Sequence, residues 1–130
     1  MSEARIYAVV AGTVKVPRGV VVQPAGRQIA QVAHVVSKLR HSWLLNANAH
    51  LIYENAFCPV TTIVLQARDS AELKHIYDNL QRRKSLSPVY FTDTNDAVYG
   101  PGIEVKTAVA VHATQKQVLR ILDYLPLWGS

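Results

Sequence analysis

The chain has one cysteine, Cys58, so it cannot form an internal disulfide, and no metal-ligand spacing surrounds that residue. A disulfide-stapled secreted scaffold is excluded, and a reducing, cytoplasmic compartment fits best. Five histidines (34, 41, 50, 75 and 112) show no paired zinc spacing, so no metal is expected. There is no Walker-type phosphate loop and no dinucleotide fingerprint, and no cofactor is expected. No serine or cysteine nucleophile motif occurs; Cys58 beside Pro59 reads as a small buried hydrophobe. Long apolar runs are missing too. The N-terminal run at residues 5–11 is too short to span a membrane and reads as a strand, not a signal peptide. No repeat, low-complexity tract or linker divides the chain, so residues 1–130 are read as one domain. A domain of that length can bury roughly two-thirds of its unfolded surface.

Acidic residues are few: 9 Asp and Glu against 14 Lys and Arg, a net charge of +5. That excess favours an anionic partner, nucleic acid first; the plainer alternative is a basic protein kept soluble by its charge. A hydrophobic content of 49% with 18% charged residues places the chain among globular rather than disordered proteins.

What is present is an alternation of strands and helices. Residues 5–11 (RIYAVVA) read as a buried strand ending at Gly12. In TVKVPRGVVVQPAG, valine-rich pieces flank Pro17-Arg18-Gly19, which suits a small hairpin or an ordered loop. A helix follows from Arg27 to about residue 46, and part of residues 44–59 (LLNANAHLIYENAFCP) suits a second short helix or a loop. Residues 61–67 (TTIVLQA) form the next strand. Asp69 and Glu72 offer a capping box, with Ser70 as a rival cap, before a helix over 70–83 with Leu73, Ile76 and Leu80 on its apolar face. Residues 88–93 and 107–113 are the last two strands. Thr114 and Gln117 cap a final helix that buries Val118, Ile121, Leu122 and Leu125. The order β, α, β, α, β, β, α implies an α/β domain with a sheet covered on both faces.

The helix opening at GRQIAQVAHVV carries an unusual polar stripe. With ~100° per residue, Arg27, Gln31, His34 and Lys38 fall on one side, while Ile29, Val32, Ala33, Val36 and Leu39 cover the opposite side. This helix and the stretch DTNDAVYGPG resemble the second type of peptidyl-tRNA hydrolase. Gly26, Ala30, Gln31 and His34 match that family's helix signature, and Arg27 stands where it has a lysine. Asp93, Pro101 and Gly102 match its second signature without a gap. Ala97 replaces its first threonine, and Thr107 matches a later threonine only with about two extra residues before it. Asp96 is a rival to Asp93. The segment TVKVPRGVVVQPA is longer than the family's usual loop and lacks its basic approach.

The resemblance implies a three-layer α/β/α fold with a four-stranded mixed sheet, a homodimer, and cleavage of the ester between a peptide and the 3′ ribose of tRNA. It makes tRNA or peptidyl-tRNA the partner, with no membrane role. Such chemistry needs an oriented water, a base and donors for an oxyanion. Arg27, Asp93 and His34 are the catalytic candidates. Gln31, Lys38, Gly102 and Thr107 are candidates for substrate binding, and Arg82, Arg83 and Lys84 for contact with the tRNA backbone. Each has a plainer role: Arg27 binding a phosphate or pairing with Asp93, His34 packing, Asp93 capping a turn, Pro101-Gly102 forming a turn, and Arg82–Lys84 as a solvated helix end. The competing class is a non-catalytic RNA-binding or interaction module on the same fold; a third is a hydrolase of another small ester or amide.

Overall fold

The computed structural model describes residues 4–44 and 60–130. The expected features at residues 45–59, including the end of the first helix near residue 46 and Cys58, lie outside them. Strand β1 covers Arg5–Val16 and passes straight through Gly12. Glycine suits that position because a Cβ there would meet Gln66 Nε2 at 3.3 Å. The chain reverses at Pro17 and Arg18 into β2, Gly19–Val22, which pairs antiparallel with the end of β1 from Val16↔Gly19 to Thr13↔Val22. Gly19 takes a positive φ of 134° at this reversal.

Helix α1 spans Ala25–Leu44, β3 Thr62–Asp69, α2 Ser70–Gln81 and β4 Val89–Thr94. A one-turn helix α3, Asp96–Tyr99, precedes β5, Glu104–Ala113, and α4 covers Gln115–Val118. The sheet has five strands among the described residues, in the order β2-β1-β5-β4, with β3 also pairing β1. The expected four strands are thus one short, because the valine-rich segment after residue 12 is a hairpin. The sheet is mixed: β3 runs parallel to β1, and the other pairings are antiparallel. Thr13 pairs with both Val22 and Asp69, so β2 and β3 flank opposite edges of β1.

The caps explain several helix starts. Asp69 accepts the Glu72 backbone N–H, while Glu72 Oε1 accepts from the Arg68 N–H. Ser70, the rival cap, instead accepts from the Lys15 N–H and ties α2 to β1. At α4, Thr114 and Gln117 form the reciprocal capping box. The last helix is shorter than expected, yet Val118, Ile121, Leu122 and Leu125 are buried as its spacing predicted.

Alternation along β1 divides the core. Tyr7, Val9 and Ala11 pack with Val109, Val111, Leu73, Ile76, Leu80 and the C-terminal residues. Ile6 and Ala8 pack with Val35, Leu39, Ala108 and Ala110. Helix α1 serves the second cluster, but not with the face its apolar residues suggest. Its buried residues are Gln28, Gln31, Val35 and Leu39; Ala33 is exposed and Ile29 is 56% exposed. The helix is rotated by roughly 90° from the expected orientation, counting ~100° per residue. The cause is polar: Gln28 and Gln31 each find hydrogen-bond partners inside, and Ile29 is left in solvent.

This orientation is checked by two substitutions. Leu39→Ala should cost about 2–5 kcal/mol by leaving a cavity, whereas Ile29→Ser should stay within about 0.5 kcal/mol. Urea denaturation measures both, and a larger loss at Ile29 than at Leu39 would contradict the buried face described here.

Candidate functional site

The buried amides of α1 belong to a polar network at the end of the sheet where the β1–β2 hairpin, the α1 N-terminus and the β4–α3 segment meet. Asp93, near the end of β4, is its acceptor. Asp93 Oδ2 accepts from Gln31 Nε2 at 2.8 Å and from the Tyr99 hydroxyl at 2.8 Å. The Tyr99 oxygen in turn accepts from Gln23 Nε2 at 2.8 Å. Gln23 Oε1 accepts from Arg27 Nη1 at 3.2 Å. Arginine can only donate, so it fixes which way the Gln23 amide points. Every proton in this chain is then directed towards Asp93.

A second branch runs through Gln28. Its Oε1 accepts from Trp128 Nε1 and from Gln66 Nε2, both at 2.8 Å, and its Nε2 donates to the Gln23 carbonyl at 2.7 Å. Trp128 is a donor only, so this amide is oriented too. The network joins the hairpin, α1, β3, β4, α3 and the C-terminal segment. Separately from this network, Arg18 at the hairpin tip reaches α3, where its Nη2 donates to the Ala97 carbonyl at 2.8 Å.

The remaining candidates of the polar stripe reach two neighbouring residues of β4, Phe91 and Tyr90, whose side chains pack into different core clusters. His34 is exposed and stacks on Phe91, with ring centroids 4.7 Å apart and planes at 17°. Lys38 Nζ donates to the Tyr90 carbonyl at 2.7 Å and lies 4.8 Å from the Tyr90 ring. Lys106, which was not singled out from sequence, lies 4.1 Å from that ring. Thr107 is wholly buried and sits at a bulge: Phe91 pairs with Ala108 and Thr92 with Lys106, leaving Thr107 as the extra residue. Its hydroxyl and the Gln31 Oε1 are buried without a hydrogen-bond partner.

Asp96, the rival carboxylate, is exposed and opens α3; its Oδ1 lies 3.4 Å from the Gly102 N–H. Gly102 has a positive φ of 72°, the geometry of a turn. Arg82, Arg83 and Lys84 are exposed at the end of α2, and none hydrogen-bonds to the Asp93 network. They precede β4, whereas Asp93 lies near that strand's far end. Among the described residues no three His, Cys, Asp or Glu side chains gather as a metal site. No helix there is long and apolar enough to cross a membrane.

Sequence reasoning missed Gln23, Gln28, Tyr99, Gln66 and Trp128. No family model matches the chain, and no curated protein shows a significant match to it.

Burial pushes the Tyr99 phenol above its ordinary value of 10.0; the Asp93 carboxylate adds to the rise, and the bond donated by Gln23 opposes it. The folded protein therefore holds this proton more tightly than the unfolded chain. The associated stability is complete below pH about 10 and is lost as pH rises through the folded value. In urea denaturation between pH about 9 and about 11, wild type should lose stability more steeply than Tyr99→Phe. Tyr77 and Tyr124 are also raised, by burial first, but both proteins share them. Parallel slopes would contradict a phenol held protonated at Asp93.

Proposed function

We propose that this chain is a peptidyl-tRNA-hydrolase-like protein that cleaves the ester between an acyl or peptidyl group and the 3′ ribose of tRNA. The observation that carries the reading is the Asp93 carboxylate. Two donors occupy Oδ2, and among the described residues no hydrogen bond reaches Oδ1. Division of the core into two clusters on opposite faces of the sheet supports the three-layer α/β/α arrangement the resemblance implies.

In this reading Oδ1 takes a proton from water as its oxygen attacks the ester carbonyl. A C–O bond forms, negative charge collects on the carbonyl oxygen, and collapse breaks the bond to the ribose oxygen, which leaves with the proton that Asp93 accepted. Arg27, half-buried at the start of α1, can stabilise the developing charge with the guanidinium N–H groups not used on Gln23. It cannot act as a neutral amine, so no step needs its deprotonation. His34 on Phe91 offers an exposed flat surface on which a terminal base can stack. Lys38 and Lys106 over Tyr90 add positive charge along the same strand.

A second reading has its own observation. Ala97 supplies no hydroxyl where the resembled family has threonine, and its carbonyl is engaged by Arg18. A module that binds acylated RNA without cleaving it would fit that substitution.

Single-turnover cleavage of a labelled peptidyl-tRNA separates the two. Asp93→Asn should slow the chemical step by at least ~100-fold, the low end of general-base effects. Its affinity for tRNA should survive, because a carboxylate adds no attraction to a polyanion. Tight binding without cleavage by wild type would establish the second reading. Cleavage unaffected by Asp93→Asn would remove Asp93 from the chemistry.

A further inference from the structure

We infer that Gln23 and Tyr99 are positioning residues that make Asp93 a one-sided base, holding Oδ2 fixed and presenting Oδ1 to the reacting water. The inference rests on the hydrolase reading for its chemistry but not for its geometry. Three elements converge on a single carboxylate oxygen: Gln31 from α1, Tyr99 from the end of α3 and, through Tyr99, Gln23 from the hairpin. Gln23 is 2% exposed, Gln31 3% and Tyr99 0%. Polar groups so deeply buried cost free energy unless they are hydrogen-bonded. Packing alone does not call for them, since phenylalanine or leucine would fill an apolar cluster such as the one Tyr99 occupies.

The direction of the bonds is what gives the arrangement a function. A phenol has one proton, and Tyr99 spends it on Asp93. Its oxygen must then receive a donor, and Gln23 Nε2 supplies one. A hydroxyl that accepts one hydrogen bond donates a stronger one, so Gln23 tightens the grip on Asp93 without touching it. Arg27 holds Gln23 in the donating orientation. A guanidinium beside the proposed oxyanion and a phenol on the proposed base are thus set by one glutamine, and that glutamine comes from the insertion.

Three variants test this. Tyr99→Phe keeps the ring and removes the donor. It should slow single-turnover cleavage of labelled peptidyl-tRNA by ~10-fold with tRNA affinity unchanged, the worth of one hydrogen bond to a charged group. In the Asp93→Asn background the same change should cost nothing further, because it acts through Asp93. Equal losses in both backgrounds would overturn the positioning role. Gln23→Met removes the second donor and should cost less than Tyr99→Phe. Gln23→Glu keeps the partner of Arg27 but turns a donor into an acceptor that competes with Asp93 for the phenol proton. It should slow cleavage more than Gln23→Met; a wild-type rate for Gln23→Glu would show that only the Arg27 contact matters and overturn the proposal. Crystal structures of wild type and Tyr99→Phe decide the geometry without turnover. Wild type should show one Asp93 rotamer with Oδ2 on Gln31 and Tyr99, and the variant more than one. A single, unchanged rotamer in the variant would overturn the clamp, whereas absent wild-type cleavage alone would overturn the hydrolase reading and leave the rotamers to decide the clamp.

Discussion

Buried side-chain amides are the constraint on which this structure depends. A buried amide group left without a partner costs about 1–3 kcal/mol, which favours a fold that brings donors and acceptors to it. Gln23, Gln28 and Gln31 lie within nine residues of one another and all are buried. Meeting them brings together the hairpin, the start of α1, β3, the β4–α3 segment and Trp128. The rotation of α1 follows from the same requirement. Burying Ile29 would gain about 1.5–3 kcal/mol of hydrophobic transfer, but it would turn Gln28 and Gln31 out of reach of their partners and leave other network members unpaired. The hydrogen bonds these amides make outweigh the exposed isoleucine, although the Gln31 Oε1 has no partner.

The sheet supplies the frame for that network. β1 is paired along both edges, and its residues Ile6, Ala8, Val10 and Ala11 are fully buried. The outer edge of β3 is covered by the C-terminal segment, through Gln66 N–H to the Pro126 carbonyl and Trp128 N–H to the Val64 carbonyl. At the other side Lys38 takes the Tyr90 carbonyl of β4. These contacts occupy edge groups that could otherwise pair with another strand. They also link the frame to the network, since Trp128 closes the edge with its backbone and orients Gln28 with its indole.

Much of the fold was legible because it rests on local pattern. Periodicity marked Leu73, Ile76 and Leu80, and side-chain chemistry marked the caps at Asp69 and Thr114. The fifth strand was only half visible: four residues of β2 carry too short an alternation to separate a hairpin from a loop. Asp93 and the Arg27–Gln31–His34 face stood out through a resemblance and a helical angle. Their partners did not. Gln23 and Tyr99 are 76 residues apart and Gln28 and Trp128 are 100 apart. No spacing rule connects such pairs, and a glutamine scores as surface in any hydrophobic pattern. The same bias set α1 about a quarter-turn off, counting ~100° per residue, by treating apolar residues as inward and amides as outward.

The hairpin changes what the site can be. A basic, flexible approach would hold a polyanion by charge that salt screens. Here the corresponding segment is an ordered pair of strands whose tip is pinned by Arg18 to Ala97 and whose base delivers Gln23. Its positive charge is partly committed to internal contacts, as is that of Arg27. Under the proposed reading, recognition therefore leans more on shape and on the stacking surface of His34 and Phe91 than on loose cations beside Asp93. The hairpin gives order around one carboxylate, and in the proposed hydrolase a base so fixed would gain rate from orientation rather than from affinity.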